Sequence, residues 1–590
     1  MALLVFFSTK EVLAAEDFYI SSEVTYRIHE AGGASVKHAI TITNATTEKY
    51  ATDYTLLIRG SGVSDVKAYS EEEEFTTKLV ASEESEVKVF FGTPVAGEGK
   101  ERKFNVEYFS SAVSKQAGDI TEISIPKLTG ENFSSHVVKL EVPVALGAPA
   151  YISPEPNNKL ETSGVLIYYF NDLPSEVNIT AAFGEFQVFS FDLTYHLQNP
   201  LAWPTEMIIA IPPDTSFQKV YYETISPKPD SIYKDADGNW LANYSLSARE
   251  RLDVRAMGTA QIFSIPWKIF FSDDVAHARN LAASKFWQVN DPAVIELAKR
   301  FLSPKEIYDY VVSTLSYSYE KVSIGGERLG AVDALKNPAQ AICTEFTDVF
   351  ITLARAAGIP AREVNGYAYT DNTKLRPLSL VADVLHAWPE YWDSQKSLWV
   401  PVDPTWGDTT GGVDYFTKLD MRHLTFVVHG EDPQNPIPPG SYKLGANPQK
   451  DIFVALGNLP EQKNTPKITI SQHTSLPFQG VRLIAKIENS GLTALYDQKV
   501  ELSYDEQVKL ETEIPLLLPY EIRTMEFTLP YGFFGDSTPN KAVLLVGGTG
   551  SSFSPDKNPA TARDVVAIVV FIVVGFSIII ISRKKKNARK

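Results

Sequence analysis

The chain has 590 residues, a formal net charge of −17 and one cysteine. Six cations lie in residues 583–590, so residues 1–564 carry −23, a surface that repels polyanions and excludes nucleic acid as a partner. A single thiol excludes a disulfide framework, and a chain of this length is too long for one core, implying roughly three to five domains.

At the N-terminus, Ala2–Ser8 is a short apolar run and Val12-Leu-Ala-Ala15 fits a signal-peptidase site. Lys10 and Glu11 interrupt the run and no basic segment precedes it, so residues 1–16 read as a truncated signal peptide, the alternative being that export depends on the C-terminal anchor. Residues 17–182 then read as an N-terminal β domain. Apolar residues alternate in the stretch beginning Ser35-Val-Lys-His, in Glu86-Val-Lys-Val-Phe-Phe and in His136-Val-Val-Lys-Leu-Glu-Val. The acidic run Glu71–Glu74 reads as a solvated turn. Sequons at Asn44, Asn132, Asn178 and Asn243 agree with an exported chain.

A second β domain is expected over 183–272, with a strand at Val188–Tyr195 and a turn at Asp235-Ala-Asp-Gly-Asn239. That turn lacks the spacing and the distant bidentate Glu of a calcium loop. Helical character begins near 291. Asp291 before Pro292 is an N-cap, and Ser303-Pro-Lys-Glu306 is a capping box. Residues 284–432 form the mixed α and β block. A C-terminal β-sandwich module is expected over 465–550 and a stalk over 551–564. Val565–Ser582 is uncharged and Val/Ile/Phe-rich, and Arg583-Lys-Lys-Lys586 follows directly. This reads as a transmembrane helix with a basic cytoplasmic tail at 583–590, placing everything before it outside the cell.

The mixed block holds the chemistry. Asn337-Pro338 reads as a helix start; Ile342, Phe346, Val349, Phe350 and Leu353 recur at helical spacing, and Gly358 with Pro360 ends the helix. Cys343 falls near the positive end of that helix, off its apolar stripe, where a thiolate is favoured. A helix end supplies only about 1–2 kcal/mol, so an activated thiol calls for a cationic partner, and an imidazolium is the usual one. Val384–Trp392 and Ser397–Val402 read as a hairpin. A two-residue turn at Ser394-Gln395 would place His386 directly opposite Asp403, where the carboxylate could fix the ring and stabilise its cation. Against this stand an inert buried cysteine and a structural His386, with Asp403 only capping a turn. No pair among these residues has zinc-ligand spacing, so no metal is called for.

The run from Cys343-Thr-Glu-Phe-Thr-Asp to Gly358-Ile-Pro-Ala-Arg362, then Val364-Asn-Gly-Tyr367, His386-Ala-Trp-Pro-Glu390 and Trp399-Val-Pro-Val-Asp403-Pro-Thr-Trp406, resembles the transglutaminase-like superfamily of papain-type cysteine enzymes. The layout is similar to membrane-anchored archaeal and bacterial members with β domains on either side. The resemblance implies an α+β papain-like core flanked by β-sandwich domains, with a Cys343 nucleophile, a His386 general base and acid, and Asp403 as orienter. It implies no cofactor. Ala341 stands where the family often has glycine. An oxyanion partner for the Cys343 N–H is sought in Gln340 or Trp406, and Trp388, Trp406 and Tyr367 are candidates to line a substrate cleft or to pack the core. His423 and His429 are read as packing residues. The expected activity is a cell-surface amide acyltransferase or hydrolase acting on a protein, peptide or envelope polymer. The rival reading is a non-catalytic surface scaffold with a degenerate papain-like unit.

Overall fold

The computed structural model describes residues 17–587 apart from 60–61, 83, 127–132, 172, 174–177, 271–273, 325, 371–378, 382, 411–412, 418, 444–449, 462–464, 474–478 and 533–534. The leader-like residues 1–16, Asn132 and the last three residues of the basic tail lie outside the described residues.

The alternating N-terminal stretches become strands whose buried residues fall on every second position, as in Ala34–Asn44. They join a ten-stranded sheet, in which Phe18–Ile28 pairs antiparallel with Ala34–Asn44 and parallel with Phe133–Pro143. A four-stranded sheet holds Ile120–Ile125.

The next β unit is built on Phe186–Gln198, paired with Arg251–Phe263, which in turn pairs with Gln218–Ser226. It is not contiguous in sequence. Ile452–Leu456, which follows the mixed block, returns to pair with Phe189–Leu193. The boundaries expected at 272 and 432 are therefore crossings of the chain, not edges of a core. Asp235 closes the turn expected there, its Oδ1 accepting from the N–H groups of Asp237 (2.9 Å) and Asn239 (2.8 Å).

In the mixed block, strand Ala361–Ala368 pairs with Asp383–Asp393 on one side and His423–His429 on the other. Helix Cys343–Ala356 packs on one face of this sheet and is buried along nearly its whole length. Phe346, Val349, Phe350 and Leu353 are fully buried, each contributing about 1.5–3 kcal/mol of hydrophobic stabilisation. The helix closes with a Schellman motif. Gly358, at φ +81°, donates to the Arg355 carbonyl, and Ile359 donates to the Ala354 carbonyl. On the opposite face, Leu424, Phe426 and Met421 join a core shared with Phe191, Tyr222 and Trp240 of the second β unit. The sheet is thus sandwiched between its own helices and a β domain from elsewhere in the chain.

The C-terminal module has one three-stranded and one four-stranded sheet. The stretch expected as a stalk is mostly ordered structure. Thr549–Phe553 is the module's last strand, and the apolar helix begins at Asn558. Asn558–Lys585 is long and apolar enough to cross a membrane, and none of its apolar window is buried in the protein.

Candidate active site

The helix carrying Cys343 starts later than its sequence suggests. Asn337-Pro338 opens a separate short 3-10 turn, Pro338–Gln340, and Ala341 and Ile342 are extended. Two contacts enforce the break. Ala341 bridges to Tyr317, and the Glu345 carboxylate turns back to accept the Ile342 N–H at 3.0 Å, which is half of a capping box. Cys343 is consequently the first residue of the helix, where the backbone N–H groups are unused by the helix itself and the dipole is positive. The thiol is buried, at 2% exposure.

The hairpin carrying His386 and Asp403 has a different register from the one expected. Glu390 pairs with Pro401 and Asp393 with Leu398, so the turn spans Ser394–Ser397, with Ser397 at φ +51°. Ser-Gln cannot readily supply the two positive φ angles of a tight hairpin turn. The shift is two residues, so the face is kept. Asp403 lies beyond the end of the strand, as N-cap of helix Pro404–Thr409, with Oδ1 accepting the Trp406 N–H at 3.0 Å. Capping and orienting, posed as alternatives from sequence, are done by different oxygens of one carboxylate. Oδ2 accepts the Nε2–H of His386 at 2.8 Å.

His386 Nδ1 is buried and makes no hydrogen bond. The Cys343 side chain is near enough to act on the ring. Burial disfavours the imidazolium, but the Asp403 charge and hydrogen bond, with a smaller contribution from Cys343, overcome it and raise the pKa to about 9. Asp403 is also fully buried, which alone would raise its pKa; the two histidines beside it hold it well below the carboxylate range. Trp388 and Trp406, both fully buried, lie nearly parallel to the imidazole, with centroids 5.9 and 5.4 Å from it. Both pack along the ring, and Trp388 also lines a cavity with Met421, His423 and Thr425. Tyr367 lies on the other face: Gly366 is the residue opposite His386, and Tyr367 packs into the core shared with the second β unit. Gln340 is exposed on its 3-10 turn.

His423, read from sequence as packing, belongs to the site. Its Nε2–H donates to the same Asp403 Oδ2 at 3.1 Å, and its Nδ1 lies 3.2 Å from Asp420 Oδ1. Burial opposes its protonation, yet bonds to Asp403 and Asp420 raise its pKa to about 9. The signal available in the sequence was its place at the start of an apolar strand, across from the Gly366–Ala368 stretch, but only the sheet order makes the two strands neighbours. His429 instead donates its Nε2–H to the Pro436 carbonyl at 2.8 Å and accepts from Asn365 Nδ2 on Nδ1 at 3.3 Å. His386, Asp403 and His423 each offer one metal-ligating atom within 4.8 Å of the others. A metal needs unprotonated imidazole nitrogens. Both rings direct Nε2 at the one buried carboxylate, which satisfies the three groups by hydrogen bonding.

Behind the thiol, a second buried network fixes the helix. The Arg328 Nε donates to Asp348 Oδ2 at 2.9 Å and its Nη2 to Glu363 Oε2 at 2.6 Å. Trp287 Nε1 donates to Asp348 Oδ1 at 2.9 Å. Burial pushes Asp348 up to about 7 even against the Arg328 charge. Arg355 ties the other end of the helix to the Ala361 (2.8 Å) and Ala282 (2.6 Å) carbonyls.

Residues 296–404 match the transglutaminase-like superfamily. Over 92 residues the chain is 33% identical to a protein-glutamine gamma-glutamyltransferase of Pseudomonas aeruginosa, covering 15% of this chain and 13% of that relative. The chain thus spans a small part of the length of the curated relative it matches. A solved candidate cysteine protease from Cytophaga hutchinsonii aligns with a TM-score of 0.32 and 17% identity, over 47% of this chain and 92% of that one. The periplasmic domain of TgpA from Pseudomonas aeruginosa, bound to ethylmercury, aligns with a TM-score of 0.23 and 16% identity, over 38% and 91%. Residues 296–404 are thus the transglutaminase-like part of a longer chain.

Proposed function

We propose that the protein is a cysteine-dependent acyltransferase or hydrolase of amide bonds, anchored in a membrane by its C-terminal helix with the site on the outer side. The observation that carries this reading is that His386 is bonded to Asp403 at 2.8 Å and lies near enough to the Cys343 side chain, at a helix start, for the two to interact. Asp403 keeps the ring oriented and charged, and the cation supports a thiolate. The thiolate attacks a peptide or glutamine-type carboxamide, His386 protonates the departing amine, and a thioester forms on Cys343. Water or an amine then resolves it. Hydrolysis is the default, since water needs no second binding site; the name of the Pseudomonas relative supports transfer from a protein glutamine. The cations from Arg583 onward support a cytoplasmic C-terminus, which leaves proteins, peptides or envelope polymers outside the cell as substrates.

The test is the rate of iodoacetamide alkylation against pH, on the full chain in detergent and on its His386→Ala variant. With one cysteine in the chain, the signal has one source. Fast alkylation persisting to about pH 5 and lost in the variant is the expected result. A single rise near about pH 8.5, the same in both proteins, would describe an uncoupled thiol and defeat the proposal.

A further inference from the structure

An acyl transfer needs donors aimed at the oxygen on which charge develops. The Cys343 N–H, at the start of its helix, is one such donor by position. The second is not Gln340, which is exposed, nor Trp406, whose ring lies along His386. We propose that Tyr317 is a catalytic residue, its phenol O–H completing the oxyanion site with the Cys343 N–H. The assignment rests on the acyl-transfer reading above.

Three observations place it there. Tyr317 pairs with Ala341 in a parallel bridge, reinforced by the Ser318 N–H donating to the Ala341 carbonyl at 2.8 Å and the Ser316 N–H to the Pro338 carbonyl at 2.9 Å. Bridge partners point to one side of the pairing, and Ala341 and Ile342 are both extended. Side chains alternate along extended backbone, so Cys343, two residues after Ala341, returns to the side of Tyr317. Second, the Tyr317 hydroxyl is buried and makes no hydrogen bond in the resting protein. A buried hydroxyl without a partner is destabilising, and the backbone around it is pinned, with the Tyr317 N–H donating to Asp408 Oδ2 at 3.3 Å. A group held in place and left unsatisfied is suited to a partner that exists only during reaction. Third, burial and then the nearby Cys343 charge push the phenol well above its ordinary pKa, so it remains a neutral donor at any working pH.

The step balances without further reactants. The Cys343 sulfur forms a bond to the carbonyl carbon, and the carbonyl π pair moves onto oxygen. Tyr317 O–H and Cys343 N–H hydrogen-bond that oxyanion and keep their protons. Its electron pair then reforms the carbonyl as the leaving group departs, with a proton from His386 when it is an amine.

Two reactions of the same thiol separate this role from others. Acetylation by p-nitrophenyl acetate passes through a tetrahedral oxyanion and releases p-nitrophenolate. Alkylation by iodoacetamide is a direct displacement of iodide with no oxyanion. In Tyr317→Phe, full chain in detergent, acetylation of Cys343 should slow by about 10²-fold, while alkylation stays within about twofold. Unfolding temperature should not fall, because the lost hydroxyl leaves no partner unsatisfied. The neighbouring Tyr319→Phe, altering a ring 5.0 Å away and half-exposed, should change neither rate. Unchanged acetylation in Tyr317→Phe overturns the assignment, as does an equal fall in both rates. A wild-type protein that is alkylated but never acetylated overturns the acyl-transfer reading and this assignment with it.

Discussion

His386 and His423 donate to one and the same oxygen of Asp403, at 2.8 and 3.1 Å, with ring centroids 5.7 Å apart. An ionised carboxylate only accepts hydrogen bonds, so both rings carry their protons on Nε2. The two imidazoliums repel each other while sharing an anion. Asp420, beside His423 Nδ1 at 3.2 Å, supplies the additional negative charge that makes a second cation tolerable there. His423 is therefore placed to moderate how strongly Asp403 holds the His386 proton.

His423→Gln removes the second cation and keeps a donor toward Asp403. Without the repulsion, His386 should hold its proton more tightly. The alkaline limb of kcat/KM, expected near pH 9 in the wild type from the His386 pKa of about 9, should move upward by about half a unit to one unit. The pH profile of turnover on a chromogenic acyl substrate reads this directly. A limb that stays in place would mean His423 only packs.

Both histidines have folded pKa values raised to about 9 from an ordinary 6.5. Their contribution to stability is therefore fully present below about pH 6.5 and is lost as pH rises through about 9. Asp403 is depressed, so its contribution is present above its unfolded pKa and is lost only as pH falls through the acid range. Thermal unfolding of the wild type should weaken from pH 6.5 to 9. Asp403→Asn should flatten that slope, because an amide cannot stabilise either cation. Asn caps a helix as well as Asp does, so the Trp406 N–H keeps an acceptor and the variant should fold. Its acyl-transfer rate should fall by about 10³-fold or more, by analogy with loss of an orienting carboxylate elsewhere.

Arg328 is the cation for two carboxylates that are almost wholly buried, Asp348 at 0% and Glu363 at 1% side-chain exposure. Arg328→Met leaves both without a charged partner. Breaking a buried pair on one side costs about 3–5 kcal/mol, which should appear as a large drop in the denaturation midpoint. Because Asp348 is already pushed up to about 7, the variant should recover part of its stability below that pH as the carboxyl takes a proton. A variant equally unstable at pH 5 and pH 8 would show that packing, not charge, sets the cost.

Gly366 lies opposite His386 in the sheet. A methyl group there would come within 2.1 Å of the Leu424 carbonyl oxygen and 2.7 Å of the Trp388 ring. Gly366→Ala must therefore part the strands that carry His386 and His423, at about 1–3 kcal/mol. Activity should fall out of proportion to stability, measured as kcat/KM against unfolding free energy, because the displaced tryptophan is one of the two lying along the His386 imidazole.

Local chemistry made parts of this protein legible without a structure. Asp291 and Ser303 announce helix starts through backbone N–H groups a few residues away, and Gly358 announces a stop. Alternation announces strands, and Val565–Ser582 announces a long helix apolar on every side. The order of Cys343, His386 and Asp403 was likewise readable, since the motifs around them are local. Other features depended on contacts between distant segments. Nothing near Asn337 says that Tyr317 will draw Ala341 into extended backbone and delay the helix to Cys343. The hairpin register turned on a four-residue turn that the Ser-Gln pair did not declare. His423 entered the site because Ala361–Ala368 is the central strand that places His386 on one side and His423 on the other. Tyr367 left it because strand alternation turned it toward a β domain over a hundred residues earlier in the chain. Periodicity tells which face of a strand is apolar, but it cannot tell which neighbour covers that face. Here two different neighbours cover the two faces, and only the folded chain decides which one holds the chemistry.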